Sequence, residues 1–216
     1  MLRLLLTLYF LFSLSALSYA DDMIIKLPAP KEKGSVSLEE TISNRRSERS
    51  LEGQALTLEE ISQLLWSCQG ITDEDSGHRS APSAGATYPL EIFLVSSDGF
   101  FHYIPKTHSI KRIKEEDLRP GLSEACLSQG FVKDAAVDII MCADFERTTS
   151  RYGNKGRGYV YIEVGHAAEN VHLQAVALGL GSVPVGAFSE GSVKTLLGLS
   201  PDLVPIYVIP VGHIKD

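Results

Sequence analysis

The sequence predicts an α+β domain whose mostly antiparallel central sheet is flanked by helices. Two apolar stretches, "LEIFLVSS" and "FFHYIP", are joined by Ser97-Asp98-Gly99, a turn typical of a β-hairpin. Capping boxes that begin at Ser37 and Thr57 indicate two helices before the hairpin. Hairpins mixed with helices favour an antiparallel sheet over a doubly wound parallel one.

The first 20 residues are predicted to be a secretory signal peptide. A short basic start is followed by the mostly apolar residues 4–17 and by small residues just before Asp21. A retained membrane anchor is the alternative, but the apolar run is short for a bilayer. Cleavage after Ala20 predicts an exported protein, periplasmic or secreted, without stable membrane insertion.

The chain after this peptide is predicted to have an extended lead-in, residues 21–36, and one domain, residues 37–216. The helix that begins at Ser37 ends near three arginines, and the helix after Thr57 runs to Gly70. Residues 71–82 are polar and predict a loop before the hairpin.

The second half alternates helices with single strands. The longest helix is predicted from Tyr159 to Leu178, and polar residues 146–158 before it indicate a mobile loop or a broken helix. The remaining predicted elements are a helix at Glu116–Leu127, a strand at "AAVDIIMCAD", a short helix at Ser192–Leu197 and a last strand at "VPIYVIPVG".

The charge and the cysteines exclude several function classes. The formal net charge is −7, and loss of Arg3 with the signal peptide makes it −8, which argues against a nucleic-acid partner. Cys68, Cys126 and Cys142 have no metal-ligand spacing, so no metal site is predicted. An exported chain could bridge one pair, but we expect all three to be small core residues without a catalytic role.

The clearest candidate binding site is "RRSER". Arg45, Arg46 and Arg49 surround Ser47 in a chain that is acidic overall. Guanidinium groups fork onto phosphate oxygens, and the serine hydroxyl adds a donor, so this pattern indicates a phosphate-bearing ligand. A solvated turn between two helices is the alternative.

Two further stretches have little side-chain bulk. "RSAPSAGATYPLEIFLV" leads into a strand, and "GLGSVPVGAF" follows the longest helix. Small residues allow the backbone to approach a flat ligand closely. An ordinary turn and a helix end are the alternatives for these two stretches.

Together these stretches resemble the FMN-dependent nitroreductase-like flavoproteins. They are most similar to the SagB-type dehydrogenase branch, which includes the oxidases that convert azolines to azoles in modified peptides. The resemblance also rests on "LLWSCQGIT", "GFFHYIP", "RYGNKGRGYVYIEVGHAAENVHLQAVALGLGSVPVGAF" and "PIYVIPVGH", and it covers nearly all of residues 42–213.

The resemblance implies FMN and a homodimer with the flavins at its interface. It places the FMN phosphate on the arginine-serine motif and one basic residue of that motif at the polar edge of the flavin ring. It also implies that one loop lies along the flavin, that backbone donors come from the stretch after the long helix, and that a basic residue after the last strand joins the phosphate site. The residues so assigned are Arg45, Arg46, Ser47 and Arg49; Pro82, Ser83, Ala84 and Gly85; Val185, Gly186 and Ala187; and Lys215.

Tyr152 and Lys155 are the candidate catalytic residues. They lie in "ERTTSRYGNKGRGYVYIE", the region where the azoline-oxidising relatives are thought to place a lysine–tyrosine base. A polar loop that lines the entrance is the alternative. The implied function is an exported oxidoreductase that moves hydride between FMN and a small organic or modified-peptide substrate. A non-catalytic protein that binds flavin or another phosphorylated ligand is the other hypothesis.

Overall fold

A computed structural model describes residues 23–215, which form an α+β fold as predicted. The signal-peptide prediction, residues 1–20, lies outside the described residues. The strands are β1 (Ile24–Lys26), β2 (Leu51–Glu52), β3 (Ile71–Asp73), β4 (His78–Arg79), β5 (Leu90–Ser96), β6 (Gly99–Ile104), β7 (Ser109–Lys114), β8 (Val137–Asp144), β9 (Gly181–Ser182) and β10 (Leu203–Ile214).

The helices are α1 (Leu38–Asn44), α2 (Leu58–Gln69), α3 (Arg119–Ala125), α4 (Gly130–Asp134), α5 (Glu146–Tyr152), α6 (Lys155–Ala177) and α7 (Glu190–Leu197). Both predicted capping boxes mark helix starts: the Ser37 side chain accepts a hydrogen bond from the Glu40 amide, and Thr57 and Glu60 cap each other reciprocally. No helix within residues 23–215 has the length and apolar character needed to cross a bilayer.

The central sheet is antiparallel throughout its strand pairs. Its order is β1-β7-β6-β5-β8-β10-β2, with β9 also paired to β10. β3 and β4 form a separate two-stranded hairpin. The predicted β5–β6 hairpin is confirmed, with Ser96 opposite Gly99.

Both faces of the sheet are buried. Successive residues of a strand point to opposite faces, so Ile92 and Leu94 of β5 enter one core while Phe93 and Val95 enter the other. α2 and α6 contribute Leu64, Leu65, Val160 and Val164 to the first core, and α3 and α7 contribute Leu122, Val193 and Leu197 to the second. The sheet is therefore the middle layer of three.

Two polar segments can be compared with their predicted structure. Residues 146–158, predicted as a mobile loop or a broken helix, form a broken helix, because they contain α5 and the start of α6, which Gly153 separates at φ 57°. Residues 71–82 contain the β3–β4 hairpin, which turns through Gly77 at φ 70°. Both segments are polar because one side of each is exposed, and sequence polarity alone does not distinguish such an element from a loop.

The three cysteines are buried and unpaired with one another. Burial raises the pKa of the Cys126 thiol to about 12 and raises the pKa values of Cys68 and Cys142 further above their usual range. A thiol with such a pKa is not a nucleophile at neutral pH, which agrees with their predicted place in the core.

Asp138 is a buried carboxyl in the middle of the sheet. It is fully buried in β8 opposite Pro210, and neither carboxyl oxygen has a hydrogen-bond partner among the described residues. Burial raises its pKa well above 3.8, and the nearby Arg119 lowers the pKa only in part. The folded protein therefore keeps Asp138 protonated over a pH range in which the unfolded chain ionises it.

We expect Asp138→Asn to flatten the pH dependence of stability. A raised folded pKa contributes stability below the unfolded pKa, and this contribution is lost as pH rises, by about 1.4 kcal/mol per unit of pKa shift. Urea unfolding at acid and at mildly alkaline pH should show a smaller loss for the variant than for the wild type. Asp134→Asn, at an exposed position, is the matched control. Equal losses in Asp138→Asn and wild type would contradict the expectation.

Candidate functional site

The candidate site is organised along α6, whose 23 residues span about 34 Å. One face of this helix packs on the sheet, and other positions contact two of the three stretches that the sequence singled out. Glu169 lies near the arginine segment, residues 45–49, and Glu163 lies beneath the 82–88 loop. The two glutamates are six residues apart, or about 9 Å along the helix axis.

The arginine segment begins where α1 ends. Arg45 is the C-cap residue of α1, and its Nε lies 3.6 Å from a carboxylate oxygen of Glu169. The Glu48 carboxylate accepts hydrogen bonds of 2.9 Å from the amides of Arg49 and Ser50, which fixes the turn that follows. The side chains that the sequence assigned to a phosphate ligand are exposed or partly exposed: Arg45, Arg46, Ser47 and Arg49.

This segment is anchored to β9. Ser47 forms a parallel bridge with Ser182, and the Glu48 amide donates to the Ser182 carbonyl at 2.9 Å. A Cβ atom at Gly181 would lie 2.7 Å from Cγ of Glu48, so glycine is needed for this close approach. The arginine segment is therefore held by the stretch that follows α6.

The C-terminal strand brings Lys215 to the same place. β10 pairs with β2, and the Lys215 amide donates to the Ser50 carbonyl at 2.9 Å. Lys215 is exposed next to the arginine segment, although more than 160 residues separate the two in the sequence. β10 thus brings the backbone of Lys215 next to the end of the arginine segment, while the Arg49 guanidinium lies over the Phe131 ring at 5.7 Å.

His172 lies next to the arginine segment and contacts Ser182 of β9, a position that the sequence did not suggest. Its Nδ1 lies 2.7 Å from the Ser182 hydroxyl, and its Nε2 is buried without a partner among the described residues. Burial, together with the charge of Arg45, lowers the pKa of His172 to about 4. The imidazole is therefore neutral at physiological pH and adds no charge beneath the arginines.

The 82–88 loop has a strained backbone. Gly85 has φ 60°, and the non-glycine residues Ala86 and Tyr88 have φ 53° and 45°. The Ser83 hydroxyl accepts a hydrogen bond of 2.9 Å from the Tyr88 amide, which closes the loop. Left-handed conformations at non-glycine residues persist only where surrounding contacts impose them, and they cluster at functional sites.

Those contacts come from α5. Arg151 donates to the Gly85 carbonyl at 2.9 Å and Arg147 donates to the Tyr88 carbonyl at 3.1 Å. The buried Thr148 hydroxyl lies 2.8 Å from that of Thr87. One face of α5 thus holds the loop in place as a clamp, and of the alternatives predicted for residues 146–158 the broken helix, not the loop, is confirmed.

The candidate catalytic residues lie at the end of the clamp. Tyr152 is half-buried, its ring contacts Tyr159 edge-on at 5.2 Å, and its hydroxyl would lie 2.4 Å from a Cβ atom at Gly85. Lys155 is exposed at the start of α6. Tyr152 is therefore placed at the 82–88 loop, whereas Lys155 has solvent around it.

We expect Gly85→Ala to loosen the clamp and destabilise the protein. The new methyl group would overlap the Tyr152 hydroxyl and approach Arg151 Nη1 to 2.7 Å, at a φ that disfavours alanine. A loss of about 1–3 kcal/mol in the free energy of unfolding should appear in urea titrations. Gly34→Ala, where no atom lies within 4 Å of the added methyl, should change it little. Unchanged stability of Gly85→Ala would count against the clamp.

The 185–187 stretch offers fewer backbone donors than the sequence suggested. The Val185 amide donates to the Val208 carbonyl at 2.8 Å, so it is not available to a ligand. Gly186 and Ala187 are exposed, and Gln129 donates to the Ala187 carbonyl at 3.0 Å. Of the three backbone amides expected to donate to the flavin, only those of Gly186 and Ala187 therefore remain candidates.

Glu163 is a buried carboxyl on α6. It is 2% exposed, and its carboxylate oxygen accepts from Gln69 Nε2 at 3.3 Å. Burial raises the pKa of Glu163 to about 7, although hydrogen bonding from Ser83 and Gln69 and the charge of Arg79 act in the opposite direction. Only the folded structure shows that this carboxyl is buried against Gln69 of α2.

The described residues contain no group of three or more histidine, cysteine, aspartate or glutamate side chains arranged to hold a metal ion.

Comparison with known proteins gives a consistent result. The sequence profile described as "Nitroreductase family" matches residues 42–213. The protein named "Putative nitroreductase MJ1384" of Methanocaldococcus jannaschii is 43% identical over 199 residues, which cover 89% of this chain and 98% of that protein. A solved structure described as a nitroreductase from Ralstonia eutropha superposes with a TM-score of 0.81 at 26% identity, covering 89% of this chain and 90% of that one.

Two more distant relatives carry more specific names. "FMN reductase (NADPH)" of Bacillus subtilis is 24% identical over 188 residues, covering 81% of this chain and 64% of that protein. "Microcin B17-processing protein McbC" of Escherichia coli is 24% identical over 179 residues, covering 74% of this chain and 64% of that protein.

Proposed function

We propose that this chain is an FMN-dependent oxidoreductase and that the phosphate of its cofactor binds to the arginine segment. The chain belongs to the nitroreductase family, which is the premise of this proposal. Members of this family are oxidoreductases, which supports an enzyme over a binding protein. The observation that carries the proposal is the arginine segment itself, whose backbone is bonded to β9 and lies beside the end of β10, so that its basic side chains and Lys215 start from neighbouring backbone positions.

The arginine segment and Lys215 together have the chemistry that a phosphate monoester requires. Arg45, Arg46, Arg49 and Lys215 supply positive charge, and Ser47 supplies a neutral donor. Guanidinium groups bind phosphate through paired hydrogen bonds. Because His172 is neutral, it contributes no charge, and the positive charge comes from the arginine and lysine side chains. The residues present therefore fit FMN, and they would hold its phosphate.

The remaining site residues would position the flavin ring. Pro82, Ser83, Ala84 and Gly85 belong to the loop that α5 clamps, and Gly186 and Ala187 have exposed backbone. Bound FMN would supply the hydride chemistry, and the chain would bind it, orient it and exclude water. A guanidinium near the ring would favour the charge of the reduced form, which makes the cofactor a better oxidant.

Within this family we place the chain nearest the SagB-type dehydrogenases. The resemblance to McbC supports a small organic or modified-peptide substrate. The proposed export, periplasmic or secreted, favours withdrawal of electrons from such a substrate over use of NADH or NADPH. Tyr152, which lies against the 82–88 loop, is the candidate acid or base. Lys155 would take part in the proton transfer only if bound substrate brings it close to Tyr152.

A homodimer with the flavins at its interface is part of the proposal. Large apolar side chains are exposed on α1, which ends at Arg45, and on α6, whose Glu169 pairs with Arg45. These are Leu38, Ile42, Tyr161 and Ile162, each more than half exposed. Exposed apolar side chains of this size favour a protein–protein interface that covers them.

The test is to purify the protein that begins at Asp21, record its visible spectrum and identify the small molecule that heat releases. We expect a yellow protein with FMN near one per subunit. Bleaching by NADH or NADPH without air would identify a reductase, and bleaching only by an organic substrate would identify a dehydrogenase. A colourless protein that also refuses added FMN would contradict the proposal.

A further inference from the structure

Two carboxylates hold Arg147 at the point where it reaches the 82–88 loop. Its Nη1 donates to the Tyr88 carbonyl at 3.1 Å, and its Nη2 donates to Oε1 of Glu91 at 2.6 Å. Its Nε lies 3.3 Å from Oδ2 of Asp144. Each of the three guanidinium nitrogens therefore has a partner, and two of these partners are acids that belong to strands of the central sheet.

Glu91 is fixed on its other side by His102. The two residues come from neighbouring strands, β5 and β6, and Oε2 of Glu91 lies 2.7 Å from Nε2 of His102. The imidazole stacks on the Phe93 ring with the ring centres 4.8 Å apart, which sets its orientation. The Glu91 carboxylate therefore has one oxygen on His102 and the other on Arg147.

The charges around Glu91 form a network and not an isolated pair. The Glu91 side chain is 21% exposed, and burial acts to raise its pKa, but hydrogen bonds from His102 and Arg147 outweigh burial and lower the pKa overall. Glu91 is therefore ionised at neutral pH. A single ion pair at the surface contributes little, whereas several charged groups in close contact keep a defined geometry.

The Tyr88 carbonyl is a sensitive point of the loop. Tyr88 has φ 45°, which is unfavourable for tyrosine, and its amide donates to the Ser83 hydroxyl at 2.9 Å. A change in the orientation of Tyr88 therefore reaches Ser83, at the other end of the loop. An arginine that is free to rotate loses side-chain entropy when it binds a carbonyl, and fixing the guanidinium beforehand reduces that loss.

We propose that Glu91 is a positioning residue of the cofactor site. It holds the Arg147 guanidinium against the Tyr88 carbonyl. Through this contact it keeps the 82–88 loop in the shape that receives the flavin ring. Both oxygens of Glu91 are occupied within the protein, so Glu91 acts through Arg147 and does not bind the cofactor itself. This inference rests on the proposed function, because that function makes the 82–88 loop the ring-binding loop.

The test is a double-mutant cycle on FMN affinity, with Glu91→Ala, Arg147→Ala and the double variant. Fluorescence titration of the cofactor-free proteins measures the affinity. We expect each single variant to bind FMN about fivefold to thirtyfold more weakly than wild type, the effect of one hydrogen bond to a charged group. In the Arg147→Ala background, Glu91→Ala should change the affinity by less than about twofold, because the group on which Glu91 acts is absent.

Riboflavin distinguishes a shift of the loop from general damage to the site. It has the ring of FMN but lacks the phosphate, so a loss of ring contacts in Glu91→Ala should weaken riboflavin and FMN binding by the same factor. A disordered site would lose the phosphate contacts as well, and FMN affinity would then fall more than riboflavin affinity. The visible absorption band of the flavin bound to Glu91→Ala should also shift, because it depends on the surroundings of the ring.

Two milder variants and a control complete the experiment. Glu91→Gln keeps an oxygen that accepts from Arg147, so it should recover most of the affinity that Glu91→Ala loses. His102→Ala removes only the second contact of Glu91, and we expect a loss of about twofold to fivefold that disappears in the Arg147→Ala background. Glu124→Ala, at an exposed position on α3, should bind FMN as wild type does.

The outcomes separate this inference from the proposed function. Wild-type affinity in Glu91→Ala, additive losses in the double variant, an equal loss in Glu91→Gln, or a larger loss for FMN than for riboflavin would each overturn the role of Glu91 and leave the FMN site intact. Failure of wild type to bind FMN at all would overturn the proposed function itself, and the role of Glu91 with it.

Discussion

Arg45→Ala is expected to weaken FMN binding by about tenfold to a hundredfold, because it removes charged hydrogen bonds worth about 1.5–3 kcal/mol. Arg45 caps the end of α1 through its backbone amide, which an alanine retains. Its side chain is paired with Glu169 at 3.6 Å, an exposed ion pair that adds little to stability. Ser47→Ala should weaken binding less, since it removes one neutral donor. Fluorescence titration of the cofactor-free protein with FMN measures both effects.

Two further variants make this prediction specific for phosphate. Arg45→Lys keeps the charge but not the paired donors, and we expect an intermediate affinity. Glu169→Gln removes the carboxylate that competes for Arg45, so FMN affinity should stay equal or rise. Wild-type affinity in both Arg45→Ala and Ser47→Ala would show that the phosphate binds elsewhere.

Gly186→Val is expected to keep the fold and to lose FMN by about tenfold to a hundredfold. An added Cβ atom at Gly186 meets only the Tyr207 ring, at 3.5 Å, which is ordinary van der Waals contact. The larger valine would project from exposed backbone into the space that we assign to the flavin ring, at a cost of about 1–3 kcal/mol for binding.

A thermal unfolding curve measures whether the variant keeps the fold, and the FMN content after purification measures the loss of the cofactor. Gly191→Val, at a position in α7 with no atom within 4 Å of the added Cβ, is the matched control. Gly186→Ala should give a smaller loss of FMN than valine. Full FMN occupancy in Gly186→Val would show that the ring does not lie against this stretch.

Local patterns in the sequence predicted much of the fold. The capping boxes at Ser37 and Thr57 mark the true starts of α1 and α2, and the Ser97-Asp98-Gly99 turn marks the β5–β6 hairpin. These signals are reliable because each depends on hydrogen bonds or dihedral angles within a few residues. The β3–β4 hairpin, which was missed, is polar on its exposed side and depends on tertiary contacts.

The sequence predicted the candidate site as separate stretches. Their arrangement in space depends on long-range contacts in the fold. The residue types of the arginine segment were enough to indicate a phosphate ligand, since guanidinium chemistry does not depend on context. That Lys215 reaches this segment follows from the pairing of β10 with β2, a long-range contact that no local pattern encodes. The Val185 amide was predicted as a donor, and the same kind of pairing, with Val208, removes it.

The sequence by itself determined the α+β class, the first helices, the central hairpin and the chemistry of the arginine-serine motif, because those properties are local. Only the tertiary structure decided that α5 holds the 82–88 loop, that the neutral His172 lies close to Ser182 and Arg45, and that Glu163 is buried against Gln69. Burial and partners far apart in the chain set these properties, and the pKa values of His172 and Glu163 follow from burial, which is a property of the folded chain.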